Sequence, residues 1–212
     1  MDDFILNIFI TEIEHQAKFA LLAFDQVETT ITNITKPEQY PVFGLNAIVF
    51  RNLHSFLTHS ANISKLLWPV GSNENKSLEL PDDNPEKVRV LRAINLRNIL
   101  QLSKSHYQLQ NRKLRNHLEH YDERLDDWAK SSKNHNIVID FIGSYDSVIG
   151  IEQTDRMRWY DPRTRMFYFR GEKFDLENIH SEVIELMKKV ELAQNRKNEN
   201  PKMNTHQRRH SR

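Results

Sequence analysis

Residues 3–35 read DFILNIFITEIEHQAKFALLAFDQVETTITNIT. Within them Leu6, Ile10, Ile13, Ala17, Ala20, Phe24, Val27, Ile31 and Ile34 recur at alternating spacings of four and three. Such spacing keeps one apolar stripe on one side of an α-helix, because about 3.6 residues complete a turn. Phe9, Phe19 and Leu21 widen the stripe beyond the narrow seam of an isolated two-stranded coil. The segment is therefore expected to be a bundle helix, ended by Pro37 and Pro41.

The neighbouring segments continue the pattern. Over 42–68, Val49, Leu53, Phe56, Ile63 and Leu67 form one stripe, and Phe43, Ala47, Phe50, Leu57 and Ala61 form another beside it. No Asp or Glu stands between Pro41 and Glu74, so this helix is expected to be buried on most of its circumference. Asn84-Pro85 has the form of an N-cap followed by a first-turn proline, which starts a third helix over 85–103. Leu114, Leu118, Tyr121, Leu125 and Trp128 predict a fourth over 106–131. Four such helices read as an antiparallel bundle over residues 1–133.

After Lys133 the period changes. The β-branched runs Ile137–Ile142 and Val148–Ile151 flank Gly143–Ser147 and suggest a hairpin. Arg156–Tyr160 and Arg165–Arg170 flank Asp161-Pro162-Arg163-Thr164 and suggest a second. A last helix is expected from Asp175, with Phe174 and Ile179 as a hydrophobic staple at its start. The whole is a mainly α fold, with a small β-hairpin/helix addition over 134–192 packed on the bundle. Residues 193–212 hold six Lys/Arg and one acid without apolar periodicity, and are expected to be a basic disordered tail.

Composition narrows the chemistry. The chain has 212 residues, and length/150 gives about 1.4, so one domain with additions is expected. The absence of cysteine excludes disulfides, Cys-ligated zinc or iron–sulfur sites and a thiol nucleophile. Five glycines argue against a glycine-rich phosphate loop. The net charge of +1 gives the molecule no general attraction for polyanions. The acidic start MDDFILNIFI is unlike a signal peptide, and no apolar run approaches the ~18 residues of a membrane span, so the expected address is cytoplasmic.

Chemistry concentrates in Arg112-Lys113-Leu114-Arg115-Asn116-His117-Leu118-Glu119-His120-Tyr121-Asp122-Glu123-Arg124. With Leu114 at zero on a wheel of about 100° per residue, His120 falls near −120°, Asn116 near −160°, Arg124 near −80° and Arg115 near +100°. Asn116, His120 and Arg124 then form one row beside the core, with Arg115 on the other flank. Arg115 and His120 converge only if the helix starts or bends nearby, or if a second copy faces the first across a two-fold axis.

Arg115-Asn116-x-x-x-His120 resembles the R-x4-6-H motif of the HEPN superfamily, in which a polar residue often follows the Arg. A four-helix bundle bearing the motif on its last helix also resembles the HEPN arrangement. Arg112-x4-His117 satisfies the same pattern. The Arg115 register is preferred because Asn116 occupies the polar position and His117, near −60°, lies closer to the core. The resemblance implies a metal-independent endoribonuclease without cofactors, acting as a homodimer on single-stranded RNA, as a toxin or defence effector. It also implies a nucleotidyltransferase-like antitoxin as partner. His120 would move a proton, Arg115 would hold the phosphate, and Asn116 would orient His120 or bond a phosphate oxygen. Arg112, His117 and Arg124 would contact substrate. The alternative is a non-catalytic helical dimerisation module, or one that binds RNA or nucleotide.

Other candidates have plainer readings. Glu12-x-x-His15 and Glu177-x-x-His180 match di-iron spacing, but the second helix has no acid to complete a site. His54 and His59 are expected to be buried and hydrogen-bonded. Ser60, Asn62 and Ser64 could line a polar pocket or face a partner helix. Trp159, Tyr160, Phe167, Tyr168 and Phe169 interleave with Arg156, Arg158, Arg163, Arg165 and Arg170. That mixture suits single-stranded RNA, but alternation favours an ordinary hairpin with Trp159, Phe167 and Phe169 buried and the arginines solvated.

Overall fold

The computed structural model describes residues 2–34, 44–69, 74–102, 107–111, 113 and 120–199. Its helices are α1 (Asp3–Ile34), α2 (Leu45–Leu67), the short α3 (Glu74–Leu78), α4 (Pro85–Ile99), α5 (Tyr121–Ser131) and α6 (Leu176–Glu199). Four strands lie between α5 and α6: β1 (Phe141–Ile142), β2 (Trp159–Asp161), β3 (Met166–Phe169) and β4 (Glu172–Asp175). The fold is mainly helical with one small sheet.

The α1 stripe fills the core as its spacing requires. Ile13, Ala17, Ala20, Phe24 and Val27 are all buried. Helix α2 covers one side and runs antiparallel to α1. Phe24 meets Phe56 with ring centroids 4.9 Å apart, while the earlier Gln16 meets the later His59 at 2.7 Å and Asn62 at 3.1 Å. Helix α6 covers the other side, also antiparallel: Phe24 stacks on His180 at 4.5 Å and Glu14 accepts from Gln194 at 2.7 Å. Helix α2 buries residues on two faces, from Val49 to Leu67, in keeping with its acid-free sequence.

Helix α4 starts at the expected cap, where Asn84 Oδ1 accepts from the Glu86 N–H at 2.9 Å ahead of Pro85. Arg97 fastens it, with both guanidinium nitrogens on Glu74 at 2.7 and 2.8 Å and one on the Leu67 carbonyl. At the start of α6 the Asn178 N–H donates to Asp175 Oδ1 at 3.0 Å, and the staple residues Phe174 and Ile179 are both buried.

The C-terminal helix is a wall of the bundle, not an addition to it. Leu176, Ile179, Val183, Leu186 and Val190 belong to the same hydrophobic cluster as α1 and α2. It also runs through Glu199, so 193–199 are helical where a disordered tail was expected. Ala193 packs on the core and Gln194 bonds Glu14, which extends the helix past the end of its apolar stripe. Residues 200–212 lie outside the described residues.

The continuous fourth helix over 106–131 does not form. Gln108–Gln110 make a 3-10 turn between the extended Tyr107 and Asn111, Lys113 is helical, and the non-helical His120 separates it from α5, which begins at Tyr121. A carboxylate from α6 holds the turn: Glu182 accepts from the N–H groups of Gln108 at 2.7 Å and Leu109 at 2.9 Å. Helix α5 buries no residue completely, and Tyr121, Leu125 and Trp128 pack against the edge of the core.

The sheet has the order β1-β2-β3-β4. Strands β2 and β3 form the expected antiparallel pair, with Tyr160 opposite Phe167, and β4 adds a third strand through Phe167 opposite Phe174. The first predicted hairpin is absent. Strand β1 pairs in parallel with β2, Phe141 opposite Trp159, and residues 148–151 form no strand. The buried Arg156 occupies this loop instead: its guanidinium takes the carbonyl of Tyr145 in the turn and that of Val148 at the start of the expected strand.

Two half-buried imidazoles make the bundle sensitive to acid. Burial holds His59 and His180 below the ordinary histidine value of 6.5. The unfolded chain therefore takes up protons at higher pH than the folded chain. The associated stability is complete above about 6.5 and is lost as pH falls below it toward the folded values. The thermal midpoint should fall between about pH 7 and pH 5.5, and His59→Gln with His180→Gln should flatten that dependence in a calorimetric pH series.

Candidate functional site

The chain approaches the motif from the turn that Glu182 holds. Leu109 is buried there, and burial raises the Glu182 carboxyl even though two backbone N–H groups favour its ionised form. Beyond the turn, Asn111 Oδ1 accepts from the Lys113 N–H at 3.0 Å, and Lys113 reaches Glu172 of β4 at 3.2 Å. Arg112, Arg115, Asn116 and His117 lie outside the described residues.

His120 and Arg124 are described. His120 occupies the N-cap position of α5 with φ −120° and ψ 43°, which is not helical. The row expected through Asn116, His120 and Arg124 on one continuous helix is therefore broken at His120. Its carbonyl accepts the first helical bond, from the Arg124 N–H at 3.1 Å. Its side chain does not cap. It turns to Glu123, with Nδ1 3.0 Å from Oε1. A carboxylate only accepts, so this contact is made with Nδ1 as the donor. The ring is half exposed.

A framework of cations and rings supports this helix start. Arg124 Nη1 bonds Asp127 at 3.2 Å, and its carbonyl accepts from Arg170 at 2.9 Å. Arg170 also donates to Ser131 at 3.2 Å, so β3 is clamped to both ends of α5. Tyr121 meets Phe169 edge-on at 6.0 Å and lies under the Arg158 guanidinium at 4.9 Å. Arg158 in turn pairs with Asp140 at 2.7 and 3.0 Å. Burial raises both the Tyr121 hydroxyl and the Asp140 carboxyl, with Arg158 opposing it in each case.

The aromatic–arginine segment is structural. Trp159, Phe167 and Phe169 are buried as alternation required, and Tyr160 with them. The arginines are not solvated as a group. Arg156 is buried against backbone carbonyls, Arg158 holds Asp140, Arg165 bridges Glu28 and Glu177, and Arg170 holds α5. Arg163 is the exposed member. On α2, His59 is half buried and bonded to Gln16, but His54 is exposed, contrary to the expectation that it would be buried. Ser60 and Ser64 line a cavity of about 20 Å³ beside Gln108 and Asn111, whereas Asn62 faces α1 through Gln16. Among the described residues no three His, Asp or Glu side chains are grouped so as to hold a metal ion, and no helix is long and apolar enough to cross a membrane.

No protein-family model matches this chain, and no curated protein or solved structure does so either.

Glu123 is the residue that the motif alone does not name. Its signal is Asp122-Glu123, two and three residues after His120, the acidic first turn that marks a helix start. If Glu123 sets the ring, nitrogen-15 NMR near pH 8 should find His120 in the Nδ1–H form, and Glu123→Ala should return it toward Nε2–H.

Proposed function

We propose that this chain is a metal-independent endoribonuclease of HEPN type. The observation that carries the reading is the His120–Glu123 pair at the start of α5, an exposed imidazole held through Nδ1 by a carboxylate. The start of a helix at Tyr121 also supports it, since a helix that starts near the motif lets Arg115 and His120 converge within one chain.

The substrate is RNA. The ribose 2′-oxygen attacks the neighbouring phosphorus as the bond from phosphorus to the 5′-oxygen breaks. His120 Nε2 accepts the 2′-hydroxyl proton, and the departing 5′-oxygen takes a proton from solvent. The products are a 2′,3′-cyclic phosphate and a 5′-hydroxyl end. Arg115 binds the phosphate and offsets the charge that grows on its oxygens. Asn116 bonds a phosphate oxygen, while Glu123 takes the orienting role on His120. Arg112, His117 and Arg124 contact the flanking backbone. DNA, lacking the 2′-hydroxyl, is not cut. A toxin or defence role in the cytoplasm, with a nucleotidyltransferase-like antitoxin, belongs to the same proposal.

The test is cleavage of a labelled single-stranded RNA in EDTA. Wild-type chain should cut it and leave cyclic phosphate ends. His120→Ala and Arg115→Ala should each lose at least about 100-fold in rate, the low end of what a positioned acid–base group supplies. Glu123→Gln should lose roughly tenfold, on the scale of an orienting partner. A chain that binds RNA but leaves it intact, or variants that cut at the wild-type rate, would overturn the assignment.

A further inference from the structure

Helix α1 carries a second apolar row on the side away from the core. Phe4 is 70% exposed, Ile8 54%, Phe19 48% and Leu22 64%. Phe4 and Leu22 are 18 residues apart, about five full turns, so they point the same way at positions ~27 Å apart along the helix. Ile8, His15 and Phe19 fall within about 60° of that direction. Among the described residues α2 meets α1 through Gln16 and Phe24, with the Phe19 ring touching His59 at 5.2 Å, and α6 meets it through Glu14 and Phe24, which leaves Phe4, Ile8 and Leu22 uncovered. The row therefore contributes nothing to the monomer's core.

We infer that this outer row of α1 is a two-fold seam on which a second copy of the chain docks, its α1 antiparallel to the first. The spacing is self-complementary in that direction. With the axis near Ile13, Phe4 of one copy meets Leu22 of the other, Ile8 meets Phe19, and Glu12 meets His15. Every contact is made twice, and the polar pair at the centre matches an acid with an imidazole. A parallel pairing would instead set Glu12 against Glu12 and His15 against His15.

Area supports the same occupant. The four side chains, with Ile5 beside them, offer roughly several hundred Å² of apolar surface, more than a monomer usually leaves in one patch. Doubled across the axis and with its polar flanks, the contact reaches about 1,000 Å², the lower range of specific interfaces. A membrane fits less well, because Asp2, Asp3, Glu12 and Asp25 surround the row with Lys18 as the only base among the α1 residues. Interfacial helices carry the opposite balance.

The arrangement keeps the two His120 groups apart. The sheet that supports α5 joins α1 at Glu28, through Arg165. In an antiparallel seam centred near Ile13 the two Glu28 positions stand about 45 Å from each other. The inference thus does not rest on RNA cleavage, and a cleft shared between the two chains is not what this seam builds.

Sedimentation velocity on the full chain at about 10–100 μM should show a dimer. Ile8→Glu and Leu22→Glu should each raise the dissociation constant at least about tenfold with an unchanged far-UV spectrum, and Leu22→Glu should keep its cleavage rate per chain. Because the natural chain has no cysteine, introduced thiols report the pairing directly. A mixture of the Phe4→Cys and Leu22→Cys variants should form a disulfide between the two under mild oxidation, and neither variant alone should cross-link. A chain that stays monomeric, a dimer indifferent to both glutamates, or self-cross-linking of Phe4→Cys would overturn the inference. So would a monomer that co-sediments with phosphatidylcholine/phosphatidylserine vesicles.

Discussion

The inner row of α1 must be covered from two directions at once, and the rest of the structure follows from that. Ala17 and Ala20 sit at its middle with no exposed surface, and Ile13, Phe24 and Val27 flank them. Small residues at the centre let the neighbouring helices approach closely, and large ones at the ends fill what remains. Phe24 shows both contacts in one side chain, with Phe56 of α2 on one side and His180 of α6 on the other. Since α6 takes the second wall, the segment after α4 has no place in the centre of the bundle. It is held at the rim by Glu182, and its next helix, α5, lies against the sheet with its apolar side chains only partly buried.

The sheet is too small to support itself: its strands run from two to four residues. Arginines make up the difference. Arg156 claims two loop carbonyls and lies over the Tyr145 ring at 4.1 Å. Arg165 leaves β3 to bridge Glu28 of α1 and Glu177 of α6, and those carboxylates raise its already high pKa further. Arg170 does the same toward α5. A planar cation with five donors suits this task, because one side chain satisfies acceptors on two elements. The basic composition of 156–170 is thus spent inside the molecule.

What the sequence made legible was whatever depended on periodicity or on a cap. The α1 stripe, the acid-free α2, the Asn84-Pro85 start of α4 and the Phe174–Ile179 staple all stand where their patterns placed them. The losses share one cause. The heptad through Leu114 and Trp128 looked continuous because spacing alone does not report a non-helical backbone at His120, nor the carboxylate from residue 182 that holds the turn before it. The run Val148–Ile151 looked like a strand because its composition does not report that Arg156 would take the Val148 carbonyl. At the candidate site the same limit applies. The motif names His120, whereas Glu123 becomes visible only when the helix is seen to start at Tyr121.

The helix start is also what gives His120 its chemistry. In the interior of a helix its backbone would be committed on both sides and its ring would lie along the surface one turn from its neighbours. At the N-cap position the backbone is released from helical geometry, and the first turn that follows supplies two acids, Asp122 and Glu123. Asp122 and Glu123 both complement the positive end of the helix dipole. Glu123 also reaches back to the ring, so one local constraint both stabilises the helix start and selects the tautomer. Arg170 and Arg158 then hold that start against β3 and β2, which ties the orientation of an exposed imidazole to the buried aromatic face of the sheet. A site made this way borrows its rigidity from the bundle, through the sheet that Arg165 fastens to α1 and α6.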